Sequence, residues 1–244
     1  MNGVRILSYN IHKGFTAGNL SFVLEGIKRS IREVGADLVF LQEVMGRGGG
    51  GPENAAAANA QFEFLADEIW PHYAYGRNAV YASGDHGNAI LSKYPIREWE
   101  NIDISPSRIE RRGILHATVE LPEGGTFHAM CTHLALMEKH RRDQIDRLAE
   151  RVRERVPANE RVILAGDFND WRENSSAALR EQADLREAFE TLHGGHARTF
   201  PSWFPAMRLD RVYFRGLQPV RAQVMSGAPW NRLSDHAAIA CEFK

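Results

Sequence analysis

The sequence predicts an α/β sandwich rich in sheet, and three observations predict it. Apolar runs that read as strands buried on both faces recur along the chain, among them "VRILSYN" and "DLVFLQEV". Two others, "ILHATVEL" and "TFHAMCTHL", flank the turn "PEGG" and form a hairpin. Amphipathic helices separate further strands, and hairpins mixed with helical connections argue against a simple doubly wound parallel sheet. The 244 residues, 43% hydrophobic and 25% charged, suffice for a large buried core. With no low-complexity linker and no short repeat, the chain reads as one domain over 1–244.

The elements follow in order. After "VRILSYN", the stretch "SFVLEGIKRSIREVG" predicts a helix that Ser21 caps, with Val23, Ile27, Ile31 and Val34 as its apolar stripe and Gly35 at its end. "DLVFLQEV" is the next strand. "NAAAANAQFEFLADEIW" is helical by composition, and "GNAILSKYPI" is a strand broken at Pro95. The hairpin comes next, then the helix "MEKHRRDQIDRLAERVRERV" with Ile145, Leu148, Val152 and Val156 on one face. "VILAGD", "RLDRVYF", "PVRAQVM" and "HAAIACEF" complete the strands. The loop "GRGGGGPE", residues 46–53, lacks Gly-Lys-Ser/Thr and so is no P-loop. It reads equally as a surface loop and as a cover for substrate.

Composition excludes several classes. A formal net charge of −1 gives no global basic field of the kind that announces a binder of long nucleic acid. Cys131 and Cys241 form no CxxC pair, so they read as buried free thiols rather than zinc ligands or a disulfide framework. There is no basic leader followed by an apolar stretch, and no run approaches the about 18–20 apolar residues of a membrane span. A cytoplasmic protein without stable membrane insertion is expected.

Apolar strands repeatedly end in residues that suit metal ions and phosphate oxygens. Asn10, Glu43, His133, Asp167 with Asn169, Asp210, and Asp235 with His236 all fall at such ends. Each has a plainer reading. Asp167 and Asn169 are ordinary turn formers, Ser234 or Asp235 would cap a helix, and Asp210 with Arg211 would make a structural ion pair. Six together are harder to explain so, because buried charges at successive strand ends are costly unless they share partners.

In this order, Asn10, "LQE", "THL", "GDFN", "RLDR" and "SDH" resemble the endonuclease/exonuclease/phosphatase superfamily over residues 4–243. That superfamily includes pancreatic deoxyribonuclease, exonuclease III-type abasic-site nucleases, inositol polyphosphate 5-phosphatases, neutral sphingomyelinases and tyrosyl-DNA phosphodiesterases. The resemblance implies a four-layered α/β sandwich with two packed mixed β-sheets flanked by helices. It implies a phosphoesterase that depends on a divalent cation, Mg²⁺ or Mn²⁺, held by Glu43 with Asn10 and Asp235. Asp167 would orient or deprotonate the attacking water, and Asn169 and His133 would donate to the phosphate. His236, oriented by Asp210, would serve as acid/base or electrostatic clamp. Asn10, Asn88, Arg111 and Arg112 are the expected substrate contacts, the arginines because guanidinium forks suit phosphate.

"NAILSKYPI" and "RLDRVYF" look most like small bacterial members, and "RLDRVYFRG" is also similar to the tyrosyl-DNA phosphodiesterase branch. Met207 stands where abasic-site nucleases carry an aromatic before "RLD", and His133 replaces their tyrosine, which puts abasic-site specificity in doubt. "GDFND" fits the GDxxD element of calcineurin-like phosphoesterases too, but the DxH and GNH elements of that class are missing. The expected substrate is a phosphodiester, small, lipid-linked or at a nucleic-acid end, ahead of duplex DNA. A DNA or RNA nuclease, and a catalytically silent interaction module, are the alternatives. Trp171, Trp203, Phe204 and Trp230 lie in or beside the same loops, either as an apolar rim for a base or acyl chain or as loop packing.

Overall fold

The computed structural model describes residues 3–16, 22–46, 60–81 and 84–244. Strands β1 (Val4–Asn10) and β2 (Leu38–Met45) pair in parallel, with Asn10 opposite Gln42. Parallel neighbours need a crossover, and helix α1 (Leu24–Val34) supplies it. Leu24, Ile27 and Ile31 are its buried face, and Gly35 ends it at φ 66 in the left-handed region. Val23 rather than Ser21 occupies the N-cap position, without a side-chain cap; Ser21 lies outside the described residues.

Strand β4 (Gly84–Ser92) pairs antiparallel with both β2 and β3 (His72–Tyr81). On the other side of β1 lies β12 (Ile239–Phe243), antiparallel to it and to β11 (Pro219–Val224). The first sheet therefore runs β11-β12-β1-β2-β4-β3.

The second sheet repeats this plan. Its parallel pair is β7 (Thr126–His133) with β8 (Arg161–Asp167), joined by helix α3 (Glu138–Arg155). Antiparallel strands β5 (Ile96–Asp103) and β6 (Gly113–Glu120) extend it one way, and β10 (Asp210–Arg215) and the short β9 (Arg186–Glu187) the other. The hairpin β6–β7 and the long helix fall where the sequence puts them. Strands β3 and β5 carry no clear period, and β5 is exposed over Arg97–Glu100, as suits a polar edge.

Three apolar clusters fix the layers. Ile6, Phe40 and Ile90 of the first sheet meet Leu115, Phe127, Ile163 and Phe214 of the second in the central core. Outside, α1 and α2 (Gln61–Ala66) cover Leu7, Val39 and Leu41. On the far side α3 and α4 (Ser175–Ala183) cover Met130, Val162 and Leu164. The order helix, sheet, sheet, helix is the four-layered sandwich, with α5 (Ala188–His193) lodging Ala188 and Phe189 in the central core. Cys131 and Cys241 are free and buried. The helix expected over 54–70 is confined to α2 among the described residues, and 47–53 of the glycine-rich loop lies outside them.

Gly166 sits one residue before Asp167 with φ 151, and a Cβ there would lie 1.9 Å from the Thr132 carbonyl oxygen on β7. Any side chain must push the parallel pair apart just below the site. Gly166→Ala is therefore expected to destabilise the fold by about 1–3 kcal/mol, the cost of a strained backbone. Urea unfolding of the two proteins checks this, and an unchanged midpoint would show that the pair has room.

Candidate active site

The C-terminal ends of the two parallel pairs meet, and polar side chains fill the junction. Asn10 ends β1, and its Nδ2 donates to Asp167 Oδ2 on β8 at 3.1 Å and to Glu43 Oε1 on β2 at 3.4 Å. Its Oδ1 accepts from the His12 amide at 3.1 Å, and its carbonyl accepts from Ser234 Oγ at 2.7 Å. Asn10 thus ties both sheets and the "SDH" loop with one side chain and one carbonyl.

Glu43 stands at an irregularity in the β2–β4 pairing with φ 55, and Asn169 has φ 50. His12 and Lys13, also at positive φ, lie against the carboxylates of Asp235 and Glu43 respectively. The Lys13 ammonium is 4.0 Å from Glu43 Oε2, and His12 Nδ1 is 3.8 Å from Asp235 Oδ1. Strained residues of this kind persist only where surrounding structure holds them, and they cluster at working sites.

Strand register gathers the remaining groups. His133 is the β7 partner of Asp167, and Asp210 its β10 partner. His133 Nε2 lies 3.4 Å from Asp167 Oδ2, and His236 Nε2 lies 3.6 Å from the same oxygen. Asp167 Oδ1 accepts from the Asn169 amide at 2.9 Å, while Asn169 Nδ2 donates to the Leu134 carbonyl at 3.0 Å. Asp210 Oδ2 accepts from Thr199 Oγ1 and pairs with His236 Nδ1 at 2.9 Å. Phe200 packs on the His236 ring with centroids 5.0 Å apart.

The two histidines take opposite charge states. Burial alone would lower the His236 pKa, but the Asp210 and Asp167 carboxylates outweigh it and raise it to about 10. His133 has no such carboxylate pair; burial, then Arg112 and His236, drive it well below its ordinary value. Burial raises Asp167 to about 6, with the His236 cation opposing and Asp210 adding to the rise. Near pH 7 the junction holds a cationic His236, a neutral His133 and an ionised Asp167. Environments that separate like groups in this way mark acid and base assignments.

The other expected residues are already engaged by protein groups. Arg112 is partly buried, with Nε on the Leu134 carbonyl and its fork on Glu110 at 3.2 Å. Arg111 is directed to Asp103 at 3.4 Å. Asn88 is buried below the junction and donates to the carbonyls of Gly113 at 3.1 Å and Cys131 at 3.4 Å, bracing one sheet against the other. Asp170 caps α4 by accepting from Ser175 N and Oγ, both at 2.7 Å. Arg211 bonds the Asp210 carbonyl rather than its carboxylate, so Asp210 is left to His236. Thr199 and His86 went unread in the sequence. Thr199 lies on a loop without periodicity, and His86 sits where Lys13, Glu43 and Arg112 all reach its charge.

A divalent cation fits this donor set. Hard carboxylate oxygens suit it, and Glu43 and Asp235 are partly exposed, their nearest basic nitrogens among the described residues being Lys13 Nζ at 4.0 Å and His12 Nδ1 at 3.8 Å. Asp210 Oδ1 is buried without a partner. Asp167, Asp210 and His236 also lie within 4.8 Å of one another, but a protonated imidazole engaged at both nitrogens has no lone pair to give. The partly exposed carboxylates of Glu43 and Asp235, with Asn10 beside Glu43 at 3.4 Å, are the residues that would hold such a cation.

The cationic His236 stabilises the fold through its carboxylates. That contribution is fully present below pH 6.5 and is lost as pH rises through about 10. In metal-free protein, the His236 imidazole should therefore show no titration between about pH 6 and 8 by NMR, and Asp210→Asn should bring its titration down toward that range. A wild-type His236 titrating near 6.5 would remove the charge assignment.

Comparison with known proteins bears on the family and the fold. The chain is 46% identical over 242 residues to Uncharacterized protein YbhP of Escherichia coli strain K12, covering 98% of this chain and 95% of that one. Its fold is similar to the crystal structure of an endonuclease/exonuclease/phosphatase from Beutenbergia cavernae, with a TM-score of 0.84 at 20% identity over 100% of this chain and 72% of that one. D. rerio TDP2 complexed with single strand DNA product is similar at a TM-score of 0.75, with 20% identity over 100% of both chains. The Endonuclease/Exonuclease/phosphatase family profile matches residues 7–236, from inside β1 through His236, and the chain belongs to that family.

Proposed function

We propose that the chain is a single catalytic domain that hydrolyses a phosphodiester with the help of a divalent cation, Mg²⁺ or Mn²⁺. One observation carries this reading: Asp210, His236, Asp167, Asn10 and Glu43 form one continuous polar chain across both sheets. Glu43 and Asp235 would hold the cation, which would polarise the phosphoryl oxygens and offset charge building up on them. Asp167 would act as the base, taking a proton from water as the new P–O bond forms. The P–O bond to the leaving group breaks, and His236 protonates the leaving oxygen. The 3.6 Å between His236 Nε2 and Asp167 Oδ2 lets the proton taken from water return to the imidazole, which closes the cycle. Neutral His133 donates to a non-bridging oxygen, with Arg112 supplying charge behind it.

The TDP2 likeness supports a nucleic-acid end as an alternative substrate, at the level of fold. A silent interaction module is less consistent with a buried, strained and fully assembled polar chain.

Bis(p-nitrophenyl) phosphate is a suitable soluble probe. Chelator-treated protein should stay folded and inactive, and Mg²⁺ or Mn²⁺ should restore turnover. Full activity in chelator would contradict the reading, and silence across phosphodiesters, monoesters and nucleic acids with metal would favour the interaction module.

Mutations test the dyad separately. His236→Ala should lower kcat by about 10²–10⁴-fold with folding intact. Asp210→Asn should lose much of the same activity, and the double variant should be little worse than His236→Ala, since the two act as a unit. Strictly multiplicative losses would separate them.

A further inference from the structure

Large apolar side chains are exposed in an uneven pattern. Of eleven among the described residues, seven lie on four loops that border the active site. Ile109 is 90% exposed, Trp203 68% and Phe204 69%. Leu136 and Met137 follow His133 by three and four residues, Trp171 follows Asp170, and Met207 lies three residues before Asp210. Trp230 is buried and takes no part.

Contacts join these loops into an arc. The Leu136 amide donates to Glu110 Oε1 at 3.1 Å, which fixes the Ile109 loop beside the Leu136 loop. Arg141 donates to the Leu136 carbonyl and lies 4.5 Å over the Trp171 ring. Arg172 next to that tryptophan pairs with Glu138 at 2.6 Å. Glu173 pairs with Arg208, and a β-bridge joins Met207 to Phe200. The Trp203–Phe204 tip is then held to the site by the Ser202 amide on the Asp235 carbonyl at 2.7 Å.

Charge is uneven in the same place. Residues 105–112, 134–142, 171–173 and 198–208 carry nine arginines and lysines against three glutamates, in a chain whose formal net charge is −1. Arg108 and Lys139 have no ion-pair partner among the described residues. The arc therefore combines exposed apolar side chains with an excess of cations.

We propose that this arc docks the active-site mouth on an anionic phospholipid bilayer, so that the substrate is a lipid-linked phosphoester. Peripheral attachment of this kind draws on inserted apolar area and on attraction to acidic headgroups, both of which the arc offers. Tryptophan suits the boundary between headgroup and hydrocarbon. A single-stranded nucleic acid would use the aromatic rings as stacking platforms and the cations for phosphates. Ile109, Leu136, Met137 and Met207, four of the seven exposed apolar residues of the arc, have no π face to stack on a base. The aliphatic majority favours hydrocarbon. Docking itself is independent of chemistry; the lipid-linked substrate rests on the hydrolase reading above.

Sedimentation of the full chain with phosphatidylglycerol–phosphatidylcholine vesicles, in chelator so that nothing turns over, tests the proposal. Wild type should sediment with anionic vesicles and far less with pure phosphatidylcholine. The Trp203→Ser, Phe204→Ser double variant should bind about tenfold more weakly or worse, because two exposed rings leave the contact. Ile109→Ser should weaken binding in the same direction. All variants should keep the wild-type unfolding midpoint and its rate on bis(p-nitrophenyl) phosphate. Failure to bind anionic vesicles at low ionic strength, or equal binding by all variants, overturns the proposal. So does retention of a single-stranded oligonucleotide that the double variant loses while vesicles are ignored. Because binding is read without turnover, failed hydrolysis with intact vesicle binding counts against the hydrolase reading alone.

Discussion

Both sheets converge on one buried carboxylate, and much of the local structure exists to make it tolerable. Asp167 is almost wholly removed from water, and its register partner across the β8–β10 ladder is a second buried carboxylate, Asp210. Two such charges side by side would be costly alone. The His236 cation between them, 2.9 Å from one and 3.6 Å from the other, supplies the missing opposite charge. Thr199 donates to Asp210 Oδ2 and Asn10 to Asp167 Oδ2, and Phe200 packs against the His236 imidazole. The arrangement is electrostatic first and geometric second.

That dependence explains why the polar chain crosses between sheets. A strand end alone presents side chains to solvent, where a carboxylate keeps an ordinary pKa. Packing two sheets so that the ends of two parallel pairs meet encloses the same groups. Asn88, pinned between carbonyls of β6 and β7 from its place on β4, holds the sheets at that spacing just beneath. Central packing of Phe40, Ile90, Leu115 and Ile163 sets the same distance from the apolar side.

Legibility in the sequence followed burial. Strands with both faces in the core, such as β1, β2 and β8, read directly as apolar runs, and the polar residues that interrupt them at their ends stood out for the same reason. Strands β3 and β5 did not, because an edge strand with charged residues has no apolar period to read. Helices α4 and α5 were missed for a related reason: they are short, and capping by Asp170 and Glu187 rather than an apolar stripe marks where they start. Asp170 and Asn169 look alike in "GDFND", yet one caps a helix and the other braces Asp167. Residue type shows that a side chain is able to bind phosphate; only the surrounding carbonyls and amides show whether it is already occupied, as Asn88 and Arg111 are.

The pairing of β1 with β12 carries a consequence for biosynthesis. Val4 faces Phe243 and Ser8 faces Ile239, so β1 meets its outer neighbour only after β12, far later in the chain, has been made. Until then one edge of β1 stays open, and the "SDH" loop that carries Asp235 and His236 is absent from the junction. A nascent chain therefore holds Asn10, Glu43, His133 and Asp167 without the cation that lets the buried carboxylates coexist. Assembly of the junction waits for β12 and the loop before it, and a chain that lacks them cannot complete the polar cluster.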